Sequence, residues 1–277
     1  MTSQSSFTDR TLVVSGGSRG IGLAIALAAA KRGANCVLLA KTAEPHPKLP
    51  GTVHTAVAEV EAAGGKGVAV VGDVRKEEDV QRAVDTAVER FGGVDIVVNN
   101  ASAIATESTE DLAAKKFDLM MDINIRGTFL LTKAALPHLR KSGSSHVITL
   151  APPMNMSPHW LGAHPSYTLS KYGMTLLSLG WAAEYAEAGI GFTCLWPETY
   201  IATAAVANAP GFQEMLARSR DPQIMGDAAA EILSRSAAEV NGKCFIDTEV
   251  LASAGVSDLS RYGGGDDPIL DIFVDKS

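Results

Sequence analysis

The chain has 277 residues, 46 % hydrophobic, 20 % charged and 6 % aromatic, the profile of a folded globular protein rather than a disordered or fibrous one. Its net charge of −7 argues against a nucleic acid or an anionic membrane surface as partner. No apolar run reaches the ~18 residues of a membrane span, and Met1–Arg10 lacks the apolar stretch of a secretory signal. Three scattered cysteines, Cys36, Cys194 and Cys244, each in an apolar run, read as buried thiols of a reducing compartment, so the expected location is cytoplasmic. The six histidines never adopt ligand spacing, and no metal is expected.

In chain order, Thr11–Ser15 is a short apolar strand, followed by a glycine-rich turn over residues 16–22 and an Ala-rich helix over Ile21–Arg32. Asn35–Ala40 is a second strand, and a Pro-rich link over 44–51 leads to a helix over Thr52–Ala63 with Thr52 as its N-cap. Lys66–Gly72 is the third strand, Lys76–Phe91 an amphipathic helix and Val94–Val98 the fourth strand. Leu112–Leu139 has helical periodicity interrupted near Asn124, and His146–Leu150 is the fifth strand. Ala151–Pro165 reads as an irregular loop, Ser166–Ala188 as a long helix and Ile190–Trp196 as the sixth strand. An apolar, mobile segment over Pro197–Ser219, a helix over Asp221–Ala238, a last strand over Cys244–Ile246 and a loosely held tail around Gly263–Gly265 complete the chain.

Strand and helix alternate throughout, and the strands are near-continuously apolar, as strands covered on both faces are. The expected fold is therefore α/β, a single-domain Rossmann-type doubly wound parallel sheet with helices on both faces. Residues 9–250 form that domain, and 251–277 are a tail packed on it.

Gly16, Gly20 and Gly22 lie between the first strand and the first helix. A turn without side chains lets the backbone approach a pyrophosphate, and the helix N-terminus offers that anion unpaired N–H groups. Tyr167 and Lys171 stand four residues apart, on one face of a helix. An ammonium beside a phenol favours the phenolate, lowering its pKa from ~10 toward neutrality, which suits acid–base work. Taken alone, the pair also fits an ordinary helix face. The second strand ends in Lys41 rather than in an acid, and Arg19 lies in the glycine turn; two cations suit the 2′-phosphate of NADP(H), although two solvated surface charges would read the same way.

Ser15-Gly16-x-x-x-Gly20-Ile21-Gly22, Asp73-Val74, Asn99-Asn100-Ala101, Asn124, Tyr167 with Lys171, and Pro197 with Thr203 occur in the order of the short-chain dehydrogenase/reductase family, which the chain resembles over residues 9–250. Residues 40–48, 151–156 and 171–174 are similar to one hydroxysteroid-dehydrogenase-like subgroup, whose eukaryotic members carry a further sterol-carrier domain; the dehydrogenase part alone is expected here. The resemblance implies hydride transfer between nicotinamide and an apolar ketone, aldehyde or alcohol, with Tyr167 as acid/base. Lys171 would bind the nicotinamide ribose, and Asn124 would hold a water that links Lys171 to solvent. It implies cofactor contacts from Gly16, Ser18, Arg19, Gly20, Ile21, Lys41 and Ala101, from Asp73 and Val74 at the adenine, from Asn100 at the ribose, and from Ile201 and Thr203 at the amide. Asp73 could equally cap the following helix, and Asn99 and Asn100 could simply close a strand.

The family's substrate-orienting Ser falls on Met154 or Ala151, and neither can donate a hydrogen bond. Thr149, Asn155 or Ser157 could replace it. This substitution leaves a second reading open, a cofactor-binding protein with little catalysis, acting as a redox sensor or lipid-binding scaffold. Met154, Met156, Trp160 and Leu161 could form a pocket wall, and Ile201, Val206, Phe212, Met215 and Leu216 a lid; packing or an oligomer interface explains them equally well. A homodimer or homotetramer built through the long helices is expected. The catalytic reading needs Tyr167 and Lys171 to face an open mouth of the sheet.

Overall fold

The computed structural model describes residues 6–46, 49–204 and 212–275. Seven strands, β1 (Thr11–Ser15), β2 (Asn35–Ala40), β3 (Lys66–Val71), β4 (Ile96–Asn99), β5 (Ser145–Thr149), β6 (Ile190–Trp196) and β7 (Lys243–Ile246), form one all-parallel sheet in the order β3-β2-β1-β4-β5-β6-β7. Along β1 the side chains alternate between two apolar layers. Leu12 and Val14 join α1 (Gly20–Ala30), α2 (Val53–Ala62), α9 (Gln223–Leu233) and α11 (Asp247–Ser253); Val13 joins α3 (Glu77–Phe91), α5 (Gly127–Leu139) and α7 (Pro165–Glu184). With both faces covered, every residue of β1, β2, β4, β5 and β6 is buried, which is why these strands read as unbroken apolar runs. The order reverses between β1 and β4, so the glycine turn after β1 and the Asn99–Asn100 pair after β4 meet at one edge, where ligands of such sheets bind.

Most local expectations hold within a residue or two. Thr52 caps α2 with Thr55 in a reciprocal pair of hydrogen bonds. Around Asn124 the helix is not broken: α4 (Ala114–Met120) runs through a π-helical turn (Met121–Arg126) into α5. Three expectations fail. The loop after β5 contains a helix, α6 (Pro158–Ala163), with Ser157 as its N-cap. The helix expected over Asp221–Ala238 ends at Leu233, and a Ser236–Glu239 capping box starts the short α10 (Ala237–Val240). The tail is not loose: after α11 and a 3₁₀ turn (Ser260–Tyr262), residues 263–275 lie against the C-terminal ends of the strands. Cys36 and Cys194 are buried as expected, while Cys244, directly opposite Cys194 in the β6–β7 register, is partly exposed.

Candidate active site

The glycine turn has the shape an anion requires. Gly16 and Gly20 adopt φ of +69° and +57°, which side-chain-bearing residues rarely take. α1 begins without a side-chain cap and without an acid in its first turn, leaving its N–H groups to a ligand. A Cβ on Gly22 would overlap the Asn100 amide nitrogen. That amide donates to Ser15 O (3.0 Å) and Gly16 O (3.1 Å), so Asn100 props the turn from below. Ser15 Oγ accepts from Asn100 N and Ala101 N, both at 3.1 Å, tying β4 to the same turn. Ser18 is buried, Ile21 packs on the core and Thr203 lies against Gly20. The residues present therefore fit a dinucleotide's pyrophosphate.

At the ends of β2 and β3, Asp73 takes a fork from Arg75 (Nη2–Oδ2 2.6 Å) and stands 3.6 Å from Lys41. Arg75, foremost, holds the Asp73 carboxyl down at about 2. Asp73 does not cap α3; its own N–H donates to Asp79 Oδ2 (2.8 Å). Val74 packs against Gly127, where a side chain would clash. Arg19 donates to the carbonyls of Pro50 (2.9 Å) and Gly51 (2.7 Å), so its guanidinium pins the link before α2.

Tyr167 and Lys171 share one face of α7 and are both buried. Lys171 Nζ donates to Leu150 O (3.0 Å) at the end of β5 and lies 5.3 Å from the Trp196 ring at the end of β6. The pair thus sits at the carboxyl ends of β5 and β6, the same end of the sheet as the glycine turn. Asn124 is wholly buried, exchanging hydrogen bonds with Ala103 N (2.8 Å) and Ala103 O (3.0 Å) and donating to Ser170 Oγ (2.9 Å). It fastens the chain after β4 to α7.

The depressed phenol is not found. Burial raises the Tyr167 pKa, and Asp271 and Tyr200 add to the rise; burial also pulls Lys171 down to about 8, against Asp271. The physical reason is desolvation, with the ammonium drawn to a carbonyl. Nor is the mouth open. Phe273 stacks on Tyr167, with centroids 6.4 Å apart and planes 20° apart. Asp271, partly exposed, is pushed up to about 8 by its crowded surroundings and by Asp247, while Lys171 opposes the shift. The fully buried Asp247 is pushed up to about 7.

Tyr200, Asp271 and Phe273 escaped the sequence reading. The one signal for them was the apolar run Ile269, Leu270, Ile272, Phe273 and Val274 in a tail otherwise rich in Gly and Asp.

The replacements considered for the missing Ser are committed elsewhere. Thr149 accepts from Ser178 Oγ (2.8 Å), Ser157 caps α6, and Asn155 donates to Asp275 (2.6 Å). Ala151 packs against Met174 and Cys194. Met154 and Met156 are 41 % and 64 % exposed and form no wall, whereas Trp160 and Leu161 pack around Tyr167. Of the expected lid, Ile201 is buried, and on α8 (Phe212–Ala217) Met215 is half-buried and Leu216 exposed; Val206 and the Phe212 side chain lie outside the described residues.

The short chain dehydrogenase model matches residues 10–212. The chain belongs to the short-chain dehydrogenase family, and so to a family of oxidoreductases. Hydroxysteroid dehydrogenase-like protein 2 of Xenopus laevis is 48 % identical over 269 residues, which make up 96 % of this chain and 64 % of the frog protein. The human protein of that name is 45 % identical over 254 residues, 91 % of this chain and 60 % of its own length. The chain thus spans less than two thirds of these relatives. A short chain dehydrogenase of Mycobacterium thermoresistibile has a TM-score of 0.92 and 47 % identity, covering 98 % of this chain and 97 % of its own. An NADH-dependent reductase complexed with NAD has a TM-score of 0.70 and 26 % identity, covering 87 % and 95 %.

Proposed function

We propose that this short-chain dehydrogenase is an NADP(H)-dependent oxidoreductase acting on an apolar ketone or aldehyde, or on the matching alcohol. The observation that carries the proposal is Tyr167 and Lys171, one helical turn apart at the ends of β5 and β6, on the same end of the sheet as the glycine turn; the ring of Phe273 must withdraw from Tyr167 for a substrate to enter. The nicotinamide, when bound, supplies or accepts the hydride. Tyr167 Oη gives its proton to the carbonyl oxygen in reduction and takes it back in oxidation. Lys171, whose ammonium donates to Leu150 O, would hold the nicotinamide ribose. Asn124 fixes α7 against the segment after β4, which keeps Tyr167 in line with the cofactor edge. With Ala151 in place of a donor, the substrate oxygen lacks one hydrogen bond, and such a loss costs about 10²–10³ in rate.

The preference for NADP(H) rests on Lys41 and Arg75, two cations around the single carboxylate of Asp73, which leave net positive charge where a 2′-phosphate would sit. The relative complexed with NAD favours the other dinucleotide, so the choice is decided by titration. NADPH should bind more tightly than NADH, and Lys41→Ala should remove most of that difference; tighter binding of NADH overturns the assignment.

NADPH oxidation over a panel of ketones and aldehydes tests the activity, and Tyr167→Phe should abolish it. Ala151 and the ring of Phe273 over Tyr167 favour a second reading, an NADP(H)-binding protein with little catalysis. Tight NADPH binding with no turnover on any substrate would establish that one. Leu119, Phe129, Leu169 and Leu176 stand exposed on α4, α5 and α7 and supply the apolar surface for a homodimer or homotetramer. No helix among the described residues is long and apolar enough to cross a membrane, which is compatible with a cytoplasmic location.

A further inference from the structure

The segment 263–275 lies over Tyr167, although neither hydride nor proton transfer needs anything there. We infer that Phe273 is a specificity-determining residue: its ring is the wall that limits the site to slender carbonyl compounds or alcohols. This deepens the oxidoreductase reading and rests on it.

The first ground is geometric. Phe273 stacks on Tyr167 and is boxed by Tyr172, Trp160 and Trp196, with centroids 5.2, 5.9 and 6.1 Å away. The phenylalanine is 5 % exposed and Tyr167 3 %. The Phe273 ring therefore covers the face of the phenol, and a substrate cannot lie across that face.

The second ground is the backbone. Phe273 has a φ of +74°, and Asp9 is the only other non-glycine among the described residues with positive φ. A bulky side chain in that region costs free energy and persists only where its surroundings hold it. Here both flanks are fastened. Asp271 N donates to Glu198 O (2.9 Å) and Trp196 Nε1 to Ile272 O (3.0 Å). On the far side, Asp275 accepts from Trp160 Nε1 (2.8 Å) and Asn155 Nδ2 (2.6 Å).

The third ground is chemical. Met154 and Met156, which would make an adaptable wall, are exposed, so the wall is rigid and aromatic and selects by shape.

The test compares a straight-chain methyl ketone (methyl pentyl ketone) with a fused bicyclic ketone (decalone) in the wild type, Phe273→Ala and Phe273→Leu, each with NADPH. One readout is kcat/KM. The other is equilibrium binding followed by tryptophan fluorescence, which needs no turnover and uses Trp160 and Trp196 at the tail. Phe273→Ala should shift both preferences toward decalone by about tenfold, the scale on which pocket size discriminates. Phe273→Leu should shift them less, and it is read alone if the alanine variant does not fold. Unchanged ratios in both readouts overturn the inference. Absence of turnover in every variant with a shifted binding ratio refutes the oxidoreductase reading and leaves the wall standing, so the two failures are distinct.

Discussion

Gly22 offers the sharpest check on how the cofactor edge is built. In Gly22→Ala the new methyl group would overlap the Asn100 amide nitrogen and lie 2.8 Å from Gly16 O. Relieving such overpacking costs about 1–3 kcal/mol. The displaced amide also weakens its hydrogen bonds to Ser15 O and Gly16 O, worth about 1 kcal/mol each. Alanine returns about 1 kcal/mol through its better helix propensity in α1. The net loss is about 2–3 kcal/mol, a fall in Tm of roughly 5–10 °C at about 2–4 °C per kcal/mol. Because Asn100 props the phosphate turn, NADPH affinity should drop by about tenfold or more, equivalent to ~1.4 kcal/mol. Thermal melts and fluorescence titration read the two effects. Gly180→Ala is the control: that glycine lies in α7 with nothing near its missing side chain, and the variant should gain up to ~1 kcal/mol while binding NADPH normally. A Gly22→Ala protein with wild-type Tm and wild-type affinity would refute the view that Asn100 holds the turn.

Two further outcomes follow from the two shifted carboxyl groups and from position 151. Asp247 and Asp271 hold their protons more tightly folded, at about 7 and about 8, than unfolded, at ~3.9. The stability they contribute is fully present below about pH 4 and is lost as pH rises through those values, so Tm should fall between about pH 5 and 8. Asp271→Asn, which cannot ionise, should flatten that decline, and an unchanged slope in a pH series of melts would contradict the argument. Lys171 acts in the opposite sense only above about pH 8, where the unfolded chain still holds the proton. Ala151→Ser should not restore activity, because position 151 faces Met174 and Cys194; a hydroxyl buried there without a partner costs about 1–3 kcal/mol. A tenfold rise in turnover over the wild type would show that position 151 faces the substrate after all.

How far the sequence could be read depended on how local each determinant is. β1 and β2 were legible to the residue because both faces are covered and the apolar run is unbroken. Thr52 announced its helix through partners three residues away. Asn124 was correctly located but misread as a break, since the pattern cannot separate a π-helical turn from an interruption. The glycine turn and the Tyr167–Lys171 spacing were visible; Asn100 as their prop was not, because its partners Ser15 and Gly16 come from another strand. Asp271 and Phe273 were missed for the same reason. Their partners, Lys171, Tyr167 and Trp196, belong to elements far back in the chain, and a short apolar run among glycines and aspartates carries no period from which docking could be read.

The seat of residues 263–275 also bears on biosynthesis. A nascent chain that has released β7 owns every strand of the sheet, yet Tyr167 is still bare of Asp271 and Phe273. Synthesis runs from the N-terminus at about 5–20 residues per second, so the sheet has a second or more to form before the aromatic cover arrives. A protein truncated after residue 250 should therefore be compact and protease-resistant in its strands while its phenol is open to reagents.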